Sequence, residues 1–330
     1  MDKATRKYLE RYAERQFFEP IGAVLAERMF DHAIVVPCRA EGANIQHLIA
    51  SISSNLQNIL LIMVINGSHN DSVEYQQLNH DSWDFMKTHF NSRCVGDESF
   101  EVFDAKFGTV VALNCFGDEN SLGPREGVGL ARKIGTDLAL YLWTRDQIRS
   151  PFIQSTDADV RLPKDLLEQV YSVPRKQKFS ALLLPFLHVP TPDTPEVSRA
   201  SAIYELSLRY YVMGLRYAGS PYAYHTIGST ILVHANDYAK VRGYPKRLAG
   251  EDFYLLNKLR KIRPIYRCSG EPMRIEGRIS QRVPFGTGRK IEEIRNQSTY
   301  AFYSPEVFEI LRQFLQSIRE FTERPEKKGI

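Results

Sequence analysis

Cysteine is scarce in this chain of 330 residues: there are four, Cys38, Cys94, Cys115 and Cys268, widely spaced and without a CxxC pair. That spacing excludes a disulfide framework or a cysteine zinc site and points to a reducing compartment, the cytoplasm. Long hydrophobic runs are missing as well. The longest, ILLIMVI (59–65) and ALLLPFL (181–187), have the length of strands, whereas a helix needs about 20 apolar residues to cross a bilayer. The first twenty residues, MDKATRKYLERYAERQFFEP, hold no apolar stretch of the signal-peptide kind. Neither sign of charge dominates, with 43 Lys and Arg against 39 Asp and Glu. A net charge of +4 is too small to argue for a nucleic-acid partner. Internal repeats and low-complexity linkers are absent. What remains is an ordinary globular composition, 43% hydrophobic and 25% charged, with ample material for one large α/β domain or two smaller ones.

Hydrophobic periodicity supplies alternating elements. AIVVPCR (33–39) reads as a short buried strand, and 43–56 carries apolar positions at helical spacing. ILLIMVI reads as a second strand ending at Asn66-Gly67-Ser68, a strong turn signal. Residues 70–108 are polar and show no clear pattern. VVALNC (110–115) reads as a strand, 126–143 as a helix, PFIQS (151–155) as a fourth strand and SALLLPFLH (180–188) as a fifth. A long helix over 195–217, a strand over 229–235, a helix over 251–262 and a final strand, PIYRC (264–268), complete the pattern. Alternation with nearly continuous apolar strands predicts a mainly parallel sheet covered on both faces. The first 30 residues and the last 40 read as helical additions.

Four stretches carry candidate chemistry, each with a plainer reading beside it. Thr156-Asp157-Ala158-Asp159 sits where the fourth strand gives out. It is either a solvated loop with a helix cap or a carboxylate pair at a strand end, where α/β sheets bind ligands. Two carboxylates there would suit Mg²⁺ or Mn²⁺ shared with phosphate oxygens. IVVPCRAEG (34–42) runs from an apolar strand into Arg39 and Glu41, either incidental charges or a nucleotide-docking end. GPREGVGLARKIG (123–135) has Gly127 and Gly129, but Arg132 stands where a dinucleotide fingerprint requires glycine. A dehydrogenase is therefore rejected, and Arg132 and Lys133 could face a diphosphate or solvent. RLAGEDFYLLNKLRK (247–261) starts a helix with Glu251-Asp252, acidic residues that the helix dipole alone favours. RISQRVPFGTG (278–288) is a Gly-containing basic loop whose N–H groups could contact phosphates.

The order of these stretches resembles the family 2 glycosyltransferases. It runs from a PxxxE strand end through an NGSxxD turn, a GLARKIG helix, a strand followed by DAD and a GST strand to a GED helix. The similarity covers about residues 33–262. The resemblance implies a GT-A fold, an α/β Rossmann-like and mainly parallel sheet with helices on both faces. Residues 31–290 would form that domain, with helical extensions at 1–30 and 291–330. It also implies a metal-dependent hexosyl transfer from a nucleoside-diphosphate sugar to an unidentified acceptor hydroxyl. Pro37, Arg39 and Glu41 would hold the nucleotide, and Asn66 the base, where family members usually carry Asp. Asn66 could still accept from an imide N–H. Asp159 would be a direct ligand of Mg²⁺ or Mn²⁺, with Asp157 on the ribose or a metal-bound water. Asp252 would be the general base beside Glu251, and Arg132 and Arg282 would face the diphosphate. The QxxRW motif of processive members is absent, which favours a single addition. Displacement in one step would invert the anomeric centre, and retention stays open.

A late histidine serves some such enzymes as a further metal ligand. Here no histidine follows residue 234, leaving His225 or His234. Two other functions fit less well. A sugar nucleotidyltransferase would want a Gly-rich loop after the first strand, and CRAEGAN has one glycine. A non-catalytic nucleotide-sugar-binding protein would not need both DAD and GED. The N-terminal segment, with Arg6, Lys7, Arg11 and Arg15, could touch an anionic membrane, but Asp2, Glu10 and Glu14 favour a helix docked on the domain. The donor sugar, acceptor and oligomeric state are not legible.

Overall fold

The computed structural model describes every residue except 97, 118, 124–125, 175, 191–194, 278–285, 298 and 324–330. Along the chain come helices α1 (Lys3–Arg11) and α2 (Phe18–Val24), strand β1 (His32–Cys38), helix α3 (Ile45–Asn55) and strand β2 (Ile59–Asn66). Helix α4 (Val73–His89), strands β3 (Asn91–Gly96), β4 (Phe100–Ala105) and β5 (Gly108–Cys115), and helix α5 (Val128–Thr144) follow. Next are β6 (Phe152–Ser155), β7 (Val160–Arg161), α6 (Leu166–Tyr171), β8 (Ala181–Leu183), β9 (Phe186–Pro190) and α7 (Pro195–Tyr217). The chain then forms β10 (Ile231–His234), α8 (Ala235–Lys240), α9 (Glu251–Ile262), β11 (Ile265–Arg267), β12 (Met273–Gly277), α10 (Thr287–Arg295) and α11 (Pro305–Glu323).

The chain divides into two compact units, Met1–Val189 with Thr226–Glu276, and Pro190–His225 with the two C-terminal helices. The first is built on a nine-stranded sheet of order β11-β8-β10-β6-β1-β2-β5-β4-β3. Its centre, β6-β1-β2-β5, is parallel, while β10 runs antiparallel to β6 and β8, and β3, β4 and β5 form an antiparallel meander. Every residue of β1 and β2 is buried. Successive side chains point to opposite faces, so both faces of the central sheet are covered, as the unbroken apolar runs predict. Helix α5 lies over β1, β2 and β6. It approaches closely because a Cβ at Gly135 would stand 2.4 Å from Val35 Cγ1. A second, three-stranded sheet has the order β7-β12-β9.

Three segments differ from the sequence reading. Residues 70–108 hold a 17-residue helix and two strands. The buried positions of α4 include Asn79 and Ser82, so hydrophobic periodicity is silent there. The run 180–188 is two strands in different sheets, β8 and β9. The break falls at Leu184-Pro185, where proline has no N–H to give a ladder. A further strand, β12, follows the one read as last.

The N-terminal helix is docked within the first unit. Asp2 caps it by accepting from the Thr5 N–H at 2.7 Å. Tyr8, 1% exposed, reaches Asp137 Oδ1 at 2.5 Å. Tyr238 Oη, Lys133 Nζ and the Glu14 N–H also donate to that carboxylate. The second unit packs α10 and α11 against α7, with Val197, Ala200, Ile291 and Ile294 at its centre. No helix among the described residues is long and apolar enough to cross a membrane.

Candidate functional site

The parallel strands β1, β2 and β6 end on one edge of the sheet, and the residues that follow them gather there. Beyond β1 the chain turns sharply, with Ala40 at φ 52°. The turn is held by Asn79 of α4, which accepts from the Ala40 N–H at 2.8 Å and donates to the Asn66 carbonyl at 3.3 Å. One side chain thus ties the end of β1 to the end of β2. Arg39 forms an ion pair with Asp71, and Asp71 Oδ2 also accepts from the Ser68 N–H at 2.9 Å, closing the NGSxxD turn. Pro37 is buried inside β1, and Glu41 is 7% exposed. Asn66 is 2% exposed. Its side-chain oxygen is buried without a hydrogen-bond partner among the described residues. An orphaned buried acceptor is costly and is available to a ligand's N–H.

At the end of β6, Arg132 is the centre. This residue is 3% exposed, in the second turn of α5. Its Nε donates to Glu251 Oε1 at 2.8 Å, Nη1 to Ser155 Oγ at 2.7 Å and Nη2 to Asp157 Oδ1 at 2.5 Å. Burial opposes its charge, and Asp157 and Glu251 outweigh that, raising its pKa further. One guanidinium therefore joins the strand that ends in Asp-Ala-Asp to the start of α9. That helix begins after Gly250, whose φ of 75° is a left-handed conformation that glycine adopts without penalty. The turn preceding β10 arrives at the same edge because β10 is antiparallel to β6, with Ile231 opposite Ser155. A Cβ at Gly228 would lie 2.7 Å from Arg132 Nη2 and 3.3 Å from Asp252 Oδ2. Glycine there lets the GST turn close over the arginine and Asp252.

Asp252 is half-buried and accepts from the Phe253 N–H at 2.7 Å. Burial first, and then the Glu251 carboxylate, push its carboxyl up to about 7, against the opposing pull of Arg132. A carboxyl so placed changes protonation near neutrality, the range that suits a general base. The buried hydroxyls of Thr156 and Ser229 have no hydrogen-bond partner among the described residues. Tyr244, beside Ser155 and Arg132, is fully buried, and burial raises its phenol.

The structure thus joins Arg132, Asp157 and Glu251 directly, sets Asp252 beside them through Gly228, and places Pro37, Arg39, Glu41 and Asn66 on the neighbouring strand ends. Lys133 turns the other way, onto Asp137 and Tyr8. Arg282 and most of the loop 278–288 lie outside the described residues. His225 belongs to the second unit. Burial lowers its imidazole to about 4, helped by Arg209 and Arg216. His234, at the far end of β10, is also lowered to about 4, mainly by burial. Among the described residues no group of three or more His, Cys, Asp or Glu side chains is placed to hold a metal ion. Asp157 and Asp159 are a hard-oxygen pair, the donor set to which Mg²⁺ or Mn²⁺ adds phosphate and water oxygens. Ser155, Tyr244, Gly228 and Asn79 were not singled out from the sequence. Only Gly228, inside the GST strand, had a cue there.

No family model matches this chain, and no curated protein does. Among solved structures, residues 1–349 of TarS from S. aureus in complex with UDP-GlcNAc are similar. Identity is 14%, the match covers 90% of this chain and 68% of that one, and the TM-score is 0.46. The same protein in complex with UDP matches at 12% identity over 89% of this chain and 73% of that one, with a TM-score of 0.43.

Proposed function

We propose that this chain transfers one sugar from a nucleoside-diphosphate sugar to an acceptor hydroxyl, by direct and inverting displacement. The observation that carries the reading is Arg132, whose single buried guanidinium links the Asp157–Asp159 strand end to the helix start bearing Glu251 and Asp252. Those two motifs are more than 90 residues apart in the sequence, and each alone has a plain structural explanation. Their union at the carboxyl edge of parallel strands, where α/β sheets bind nucleotides, has a catalytic one.

In this scheme the base docks at the ends of β1 and β2. Asn66 Oδ1 accepts from a base N–H, and Arg39 and Glu41 flank the nucleotide. Asp157 and Asp159 hold Mg²⁺ or Mn²⁺, which when bound neutralises charge on the diphosphate. Asp252 takes the proton of the acceptor hydroxyl as its oxygen attacks the anomeric carbon. The bond from that carbon to the diphosphate breaks, and the nucleoside diphosphate leaves. Glu251 is held away from this step by its bond to Arg132 and keeps Asp252 basic by its charge. With no QxxRW motif, one sugar is added per encounter.

The test is release of nucleoside diphosphate from a panel of sugar donors with Mg²⁺, dependent on added acceptor. Asp252→Asn keeps the shape of the helix start and removes the base. Transfer should fall by roughly 10²–10⁴-fold, while calorimetry finds donor affinity unchanged. A variant that transfers at the wild-type rate would make Asp252 structural.

A further inference from the structure

Strand β7 consists of two residues, and among the described residues its pairings with β12 set Ile275 opposite Val160 and Arg274 opposite Arg161. Half of the cross-strand pairs that hold this strand are therefore a direct opposition of two arginines. Like charges directly opposite destabilise a sheet. Both side chains are exposed, and neither they nor Lys164 forms an ion pair among the described residues. All three line an open groove of about 520 Å³ in the first unit, together with His47, Ser51 and Glu271. Glu271 is the sole carboxylate in that lining, against three permanent cations. Its backbone, fixed by N–H donation to Asp165 Oδ2 at 3.1 Å and by Gln169 Nε2 at 2.9 Å to its carbonyl, holds the approach to β12 in place. The other wall is pinned where the Leu162 N–H donates to Ser51 Oγ of α3 at 3.1 Å.

We infer that this groove is an oxyanion site, where the two arginine forks and Lys164 take a phosphate or carboxylate group of a ligand. Guanidinium forks match the geometry of both groups, and a bound anion would turn the opposed pair into a shared clamp. Both charges are exposed and form no ion pair among the described residues, so a bound anion is what would relieve their opposition. The groove is distinct from the Arg132 centre. Arg161 stands only two residues beyond Asp159, roughly 7 Å of extended chain. If the proposed transfer holds, the oxyanion belongs to the acceptor, and that assignment rests on the proposed function. The anion site itself does not, because it is read without donor or turnover.

The experiment compares the wild type with the double variant Arg161→Gln/Arg274→Gln by thermal unfolding, in chloride, phosphate and acetate at equal ionic strength. In chloride the variant should melt at or above the wild type, because the like-charge pair is gone. Saturating phosphate should raise the wild-type midpoint by about 2–4 °C and leave the variant unmoved. An equal response to acetate assigns the site to carboxylates as well as phosphates. Binding of nucleoside diphosphate with Mg²⁺ should be the same in both proteins. A variant that melts lower in chloride, or that keeps the phosphate response, would overturn the site. Loss of nucleoside diphosphate binding would overturn its separation from the donor region.

Discussion

Arg132→Gln removes the cation that, among the described residues, pairs with Glu251, and the structure separates its consequences. Asp157, with 39% of its side chain exposed, passes to solvent at little cost, as exposed ion pairs are worth about 1 kcal/mol or less. Ser155 is neutral. Glu251 is 3% exposed and is left as a buried carboxylate with no counter-charge, which costs about 3–5 kcal/mol. The loss in unfolding free energy should therefore come almost wholly from Glu251. It follows that Glu251→Gln, destabilising alone because it leaves the buried guanidinium with only the part-exposed Asp157 as counter-charge, should restore much of the stability when combined with Arg132→Gln. Urea unfolding followed by the fluorescence of Trp83 and Trp143 measures all four corners of that cycle. A coupling of about 2 kcal/mol or more is expected. Single variants that cost less than about 1 kcal/mol, or effects additive within about 0.5 kcal/mol, would refute the arginine as the organising charge. Function supplies a second reading. Arg132 pulls the Asp252 carboxyl down, so its removal should move the pH midpoint of transfer upward.

Transfer by the wild type should rise with pH through about 7, where Asp252 ionises, and rate–pH profiles of wild type and Asp252→Asn would show whether that rise disappears. The same raised carboxyl contributes stability that is fully present at low pH and is lost as pH climbs through about 7, so melting at pH 5 and 8 should differ more in the wild type than in Asp252→Asn. Asp159→Ala should abolish the divalent-cation requirement of nucleoside-diphosphate binding along with most affinity, and equal wild-type binding with and without chelator in calorimetry would remove the metal from the scheme. Tyr8→Phe withdraws one of the donors to fully buried Asp137 and should cost about 1–2 kcal/mol, with faster proteolysis of the first sixteen residues; unchanged stability and cleavage would mean that α1 is held by its other contacts, such as Thr5 to Asn236 and Glu14 to Asp137.

Much of this protein is local and therefore legible in the sequence. The unbroken apolar runs at 33–38 and 59–65 dictate strands buried on both faces. The helices at 195–217 and 251–262 follow from their periodicity, and the acids after the ends of β1, β2 and β6 mark the edge proposed here as the site. What escaped was non-local or polar. The buried face of α4 uses Asn79 and Ser82, whose value lies in hydrogen bonds to distant backbone. Pro185 splits one apolar run between two sheets, a choice set by which ladder each half completes. Arg132 and Lys133 are neighbours and were read alike. Their side chains leave adjacent positions on a buried helix, so one turns to the carboxylates at the sheet edge and the other to Asp137 and Tyr8. No spacing rule distinguishes them. Only the packing of α5 between β6, α9 and the N-terminal helix decides which of the two meets Asp157 and Glu251 and which meets Asp137, because each charge must find its counter-charge where the fold has put one.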